Sequence, residues 1–354
     1  MISRILIATD GTPCSEHATR VAFDLAKRLK ARVVLTHIAD ERGTSPFSER
    51  RGVRQRFGKV MLEYWTDEAE HQGLLASYIL DSSRNVVESI VNIASDQGCD
   101  LILMGTHGRE GIPRLVQSSV AEGVLRNTPV PVMLVHFTQR PFEPLFHRIL
   151  VAIDGDEISR NALEHAIQLT HVLKANLDVL HVIPDVSKAL RNFEGASRDL
   201  QRFAEEAEFE SQEIINQAWT QIRKSEIEPN RIEVFETQTQ AAKIQDVILT
   251  HAKQRKIDLI VMGTHTRTGL ARIVIGSVAE GVVHHTCVPV LLVRGLEARV
   301  AGLESGFPRK VSGFESLELP NHAPTTRARI CDAQRLLPRC QSRFAPVLYG
   351  CAFP

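Results

Sequence analysis

The chain has 354 residues, with 42 Lys+Arg against 42 Asp+Glu. That is length enough for two domains with a core each, and there is no charge excess to draw a polyanion such as nucleic acid. The start shows no basic leader before an apolar core, and no apolar run reaches the length of a membrane span, so a cytoplasmic protein with no membrane partner is expected.

Arg4 to Thr9 reads as a buried strand that ends at Asp10-Gly11. Ser15 to Lys30 then places Ala18, Val21, Ala22, Leu25, Ala26 and Leu29 at helical spacing. Ala31 to Ile38 is the next strand, and strand, helix, strand with short links is the unit of a parallel sheet. From Asp40 to about Gly58 the chain is polar and basic, with Arg42, Arg50, Arg51, Arg54 and Arg56. This reads as a solvated loop opening into a helix over Val60 to Gln72, with a partner surface as the sharper alternative. Leu74 to Leu80 is a third strand, Val86 to Asp96 a helix, and Leu101 to Met104 a fourth strand stopped by glycine. Pro129 to Val135 closes the half, its prolines suiting an edge position.

The second half repeats the first. Arg148 to Gly155 matches Arg4 to Gly11, and Ser15, Ala18 and His37 recur as Ser159, Ala162 and His181. The extra residues of this half fall between its second and fourth strands, where they are expected to lengthen the polar helix around Ser197 to Ile222. Val288 to Val293 repeats the closing strand. The expected organisation is an α/β domain over 1–136, a linker over 137–146, a second α/β domain over 147–294 and a disordered tail over 295–354. Each domain should form an open parallel five-stranded sheet of order 3-2-1-4-5 with helices on both faces. Left bare, the two apolar closing strands would invite association, so an antiparallel, pseudo-twofold pairing inside the chain is expected.

One stretch occurs twice and carries the candidate site. Asp100 to His107, running on to Ser118-Ser119, recurs as Asp258 to His265, running on to Gly276-Ser277. A glycine turn at the carboxyl end of a parallel strand, followed by a helix N-cap signature, offers backbone N–H groups and a positive dipole end to an anion. Phosphate is the natural ligand. Asp10 and Asp154 end strands where open α/β sheets place ligands, though each can equally cap the turn that follows. The glycines can likewise serve a tight turn alone. His37, His107, His181 and His265 recur without Cys, Asp or Glu at ligand spacing and read as structural, with no metal site. The six cysteines lack C-x-x-C spacing and support neither zinc nor a disulfide framework.

These residues resemble the universal stress protein family in a tandem form, over about residues 2 to 294. The shared features are G-x2-G-x9-G-[ST] after the fourth strand, an Asp ending the first, a His before an apolar residue after the second, and a Pro-Val closing strand. The first copy keeps Gly105 and Gly108 but has Ser118 for the third glycine, followed by Ser119. The second keeps Gly263 and Gly276-Ser277 but has Thr266 in the middle. The resemblance implies binding of ATP or AMP, with Mg as a companion ion. It places Asp10 and Asp154 near the ribose or metal and the backbone at Ile38 and Val182 near adenine. Phosphate would fall to Gly105, Gly108 and Ser119 in the first half and to Gly263, Gly276, Ser277 and Val278 in the second. A Cβ at Ser118 intrudes at the helix start, whereas Thr266 lies beside Arg267 and Arg272, so the second site is expected to bind better. The implied function is a stress-response regulatory protein, an intramolecular pseudo-dimer that can form a homodimer, with unknown protein partners. The absence of a Walker lysine or an evident catalytic base points away from an enzyme. A weak ATPase and an interaction scaffold with decayed sites are the alternatives.

Overall fold

In the first half β1 (Arg4–Ala8) is followed by α1 (Pro13–Leu29), β2 (Arg32–Asp40), α2 (Arg51–His71), β3 (Ala76–Ser83), α3 (Val86–Asp96), β4 (Leu101–Thr106), α4 (Ser119–Asn127) and β5 (Val132–His136). The second half runs β6 (Arg148–Ile153), α5 (Glu157–Leu173), β7 (Asn176–Ile183), α6 (Ser197–Arg223), β8 (Ile232–Gln238), α7 (Ile244–Gln254), β9 (Leu259–Gly263), α8 (Ser277–His285) and β10 (Val290–Val293). This computed structural model describes residues 2–41, 51–106, 119–137, 146–183, 197–239, 243–264 and 276–294. The expectation of a disordered tail over 295–354 concerns residues outside that set.

Each half has the expected order 3-2-1-4-5, and the two join into one ten-stranded sheet, β3-β2-β1-β4-β5-β10-β9-β6-β7-β8. Pairing is parallel within a half, and β5 meets β10 antiparallel, with Val132 opposite Leu292, Met133 opposite Leu291 and Leu134 opposite Val290. The prolines expected at an edge stand just before these strands. Their carbonyls remain useful, since Ile102 donates its N–H to Pro131 and Ile260 donates to Pro289, both at 3.0 Å.

Both sheet faces are covered, which is why the strands read as continuous apolar runs. Alternate residues point to opposite faces. Ile5, Ile7, Met133, Ile149 and Leu291 join a core with α1, α2, α5 and α6. Leu6, Val34, Leu134, Leu150 and Val290 join a second core with α3, α4, α7 and α8. Each core runs through both halves without a break at the seam.

The local chemistry repeats as well. Thr12 caps α1 and Asp156 caps α5, each accepting a hydrogen bond from the N–H three residues on, and both helices end on a lysine in the left-handed region, Lys30 and Lys174. Asp100 accepts from the N–H groups of Ser3 and Arg4, and Asp258 from those of His147 and Arg148, which ties the starts of adjacent strands together. The carboxyls respond differently. At Asp258 burial outweighs those two bonds and its pKa is raised, whereas at Asp100 the extra hydroxyl of Ser3 tips the balance downward against burial.

Two expectations are corrected. Helix α2 starts at Arg51, not Val60, and within the stretch read as a solvated loop Gly58 is buried against the sheet. A Cβ at Gly58 would lie 2.5 Å from the His37 ring, so the residue that looks like a helix breaker allows close helix-strand contact. The extra length of the second half also goes only partly into α6, which has 27 residues against 21 in α2. The rest lengthens the links, including a 3-10 turn at Pro229–Arg231. No helix among the described residues is long and apolar enough to cross a membrane.

Candidate functional site

The strand registers bring the expected residues to one edge in each half. Ala8 pairs with Thr36 and with Met104, so Asp10 stands level with Ile38 on one side and Thr106 on the other. Ile153 pairs with His181, and Val151 with Val261. Asp154 therefore stands level with Val182, and Gly263 ends the neighbouring strand. β1 and β6 are the strands on either side of which the chain order diverges, the position where open α/β sheets leave a crevice.

Both aspartates are exposed and both hold the turn after their strand. The Asp10 carboxylate accepts from the Thr12 N–H at 3.0 Å and its hydroxyl at 2.6 Å, and Asp154 accepts from the Asp156 N–H at 3.2 Å. The glycine between them takes a positive φ, 77° at Gly11 and 85° at Gly155, a conformation that costs other residues strain. Side chains from the next helix close over these turns: Phe57 and Met61 over Gly11, and Ile214 over Gly155. Sequence reasoning did not find these three, since nothing local ties a helix residue to a turn some fifty residues away.

The recurrent histidines are staples. His37 Nδ1 lies 2.9 Å from the Thr9 carbonyl, and His181 Nδ1 lies 2.9 Å from that of Ile153. A carbonyl only accepts, so Nδ1 carries the proton in both. His107 and His265 lie outside the described residues. Among those described, no group of three or more His, Cys, Asp or Glu could hold a metal ion. Cys14, at the start of α1, is not an activated thiol: burial, and then the charge of Asp10, raise its pKa.

Gly105, next to last in β4, and Gly263, last in β9, have a packing reason of their own. A Cβ at Gly105 would lie 2.6 Å from the Cys14 carbonyl oxygen and 2.9 Å from the Ser15 nitrogen. At Gly263 it would meet the Ile158 methyl at 2.9 Å and the Ser159 nitrogen at 3.2 Å. These residues let the strand end touch the start of α1 or α5. Gly276 acts differently. The N-cap signature holds, with Gly276 itself the N-cap of α8, bringing no side chain to cap the helix, and Ser277 and Val278 its first helical residues. The opening N–H groups of a helix have no acceptor within it, so the start of α8 carries the positive end of its dipole. In the first half Ser119 opens α4, while Gly108 and Ser118 lie outside the described residues, as do Thr266, Arg267 and Arg272. A polar groove of about 470 Å³ lies elsewhere, between α5 and α6 beside Arg160, Glu213 and Gln221, and contains none of the expected residues.

Comparison with known proteins agrees with the duplicated fold. A family model described as the universal stress protein family matches residues 1–136 and again 145–294. A universal stress protein of Methanocaldococcus jannaschii is 31% identical over 152 residues, 43% of this chain and 84% of the relative. Universal stress protein YxiE of Bacillus subtilis is 30% identical over 152 residues, 42% of this chain and 100% of the relative. A crystal structure of a universal stress protein from Archaeoglobus fulgidus DSM 4304 has a TM-score of 0.61 at 21% identity, over 82% of this chain and 98% of that one. At that identity the likeness speaks for the fold.

Proposed function

The chain belongs to the universal stress protein family, and on that premise we propose that it binds an adenine nucleotide, ATP or AMP, at the carboxyl ends of its strands, chiefly in the second half. The observation that carries this reading is the start of α8 at Gly276, an N-cap with no side chain of its own, which follows the strand next to β6, whose end bears Asp154 level with Val182 of β7. Backbone N–H groups at Gly276, Ser277 and Val278 suit a phosphate. The exposed Asp154 carboxylate suits a ribose hydroxyl or a Mg ion accompanying the phosphates, and the backbone at Val182 suits adenine. The role is that of a cytoplasmic stress-response binding protein rather than a catalyst.

A thermal-shift titration tests this, because a ligand that binds the native state raises its stability. ATP with Mg, and AMP separately, should raise the unfolding midpoint in a saturable way. Gly276→Asp, which sets a carboxylate against the phosphates, should remove most of that shift while leaving the midpoint without ligand close to the parent's. A change to Asp at Ser118 should cost less. Equal losses at the two positions would overturn the ranking of the halves. No shift with either nucleotide would favour the scaffold reading, and turnover of labelled ATP would favour the ATPase.

A further inference from the structure

Four of the large apolar side chains left exposed lie on α2: Val53 at 56%, Phe57 at 54%, Val60 at 65% and Tyr64 at 58%. Their spacing of four, three and four residues sets them in one stripe, the seam pattern of paired helices. The opposite side of α2 buries Gly58, Leu62, Trp65 and Ala69, and α6 buries Ser211, Ile215, Ala218 and Ile222 at the same spacing. In that register the counterparts of the stripe are Glu206, Glu210, Glu213 and Gln217, all exposed. The fold therefore holds the equivalent helix with polar residues at these four positions, and the apolar stripe of α2 answers to something outside the subunit.

The charges on α2 say what that is. From Arg51 to Lys59 its sequence carries bases and no acid, and from Glu63 to Glu70 it carries acids and no base. This order opposes the helix macrodipole, which favours acids at the start and bases at the end. An antiparallel copy of the same helix presents the reverse order.

We propose that α2 is a homodimer contact, in which two copies of the chain pack stripe on stripe, antiparallel, about a twofold axis. Val53 then faces the partner's Tyr64, and Phe57 faces the partner's Val60. Arg56 flanks the seam next to the partner's Glu63, and by symmetry each pairing occurs twice. Within one chain Glu63 has Lys59 at 3.7 Å, an exposed pair of little worth, and a long bond of 3.4 Å from the Tyr78 hydroxyl, so re-pairing across the axis costs little. A parallel arrangement would set bases on bases.

Sedimentation of the full chain over a concentration series tests this. The parent should show a concentration-dependent monomer-dimer equilibrium. Val60→Glu with Tyr64→Gln, which copies the outer face of α6, should raise the dimer dissociation constant by about tenfold or more, with a thermal midpoint like the parent's at a concentration where both are monomeric. Phe57 is left in place because it also closes over Gly11. Arg56→Glu should weaken the dimer by about threefold to tenfold, and adding Glu63→Arg should restore it. A parent that stays monomeric throughout, a dimer indifferent to the α6-like change, or a failed charge swap would each overturn the proposal.

Discussion

Gly105 and Gly263 occupy matching positions but face different neighbours, and the difference is measurable. At Gly105 an added Cβ meets a backbone carbonyl, and at Gly263 it first meets a methyl that can rotate away. Gly105→Ala should cost about 1–3 kcal/mol of stability and Gly263→Ala less, by denaturant titration without ligand. Neither is a clean probe of nucleotide binding, whereas Gly276→Asp is. Asp178 supplies a second test. It takes the place in the second half that Val34 holds in the first. Its fully buried carboxylate accepts from Arg148 at 3.1 Å, His251 at 3.1 Å and Arg255 at 2.9 Å. Burial alone would push its pKa up, and the bonds from His251, Arg255 and Arg148 outweigh it and hold the pKa below the usual carboxylate value. Asp178→Asn should cost about 3 kcal/mol, the lower end of the range because both arginines keep some solvent. The glycines and aspartates of the strand ends were legible in the sequence as motif positions. Asp178 was not, since its partners come from β6 and α7 and only tertiary packing assembles them.

At the scale of elements, the residues that finish the two closing strands cross the seam. Arg294 follows β10 and donates to the carbonyls of Thr128 at 2.6 Å and Arg126 at 3.2 Å, at the end of α4. His136, the last residue of β5, lies against the backbone of Val283 in α8 and of Val288 just before β10. Burial drives its pKa down to about 4, against a smaller upward pull from the backbone of Val283, with the nearby His284 adding to the fall. The folded form thus refuses a proton that the unfolded chain accepts at 6.5. Stability should be undiminished above that value, fall as the pH drops from 6.5 toward about 4, and lose nothing more on this account below it. In His136→Gln the denaturation midpoint should change less over that window, while the acid loss due to Asp178 sets in lower, below the ordinary carboxylate value of 3.8. Element boundaries were legible where local signals agree. Helix α3 spans Val86 to Asp96 as its period indicates, with Asn85 capping it. The start of α2 was hidden because Gly58 carries a tertiary contact that outweighs its poor helix propensity.

For the whole molecule, duplication and sheet order were readable from the repeated strands, and the antiparallel joint followed from two apolar edges that need cover. That joint makes one sheet of ten strands, and the continuity of both cores across it appears only in three dimensions. Val132 and Val290 are both buried at the seam. Val132→Lys or Val290→Lys should cost about 3 kcal/mol or more and expose two strand edges, seen as a lower unfolding midpoint and increased light scattering. A parent-like midpoint and solubility in both variants would mean that the halves are held elsewhere. The antiparallel seam also sets the molecule's outlook. All strands of one half run opposite to all strands of the other, so the edge bearing Asp10 and the edge bearing Asp154 look out in contrary directions. The chain is two-faced in the literal sense: a visitor at one end sees one half's strand ends and never the other's.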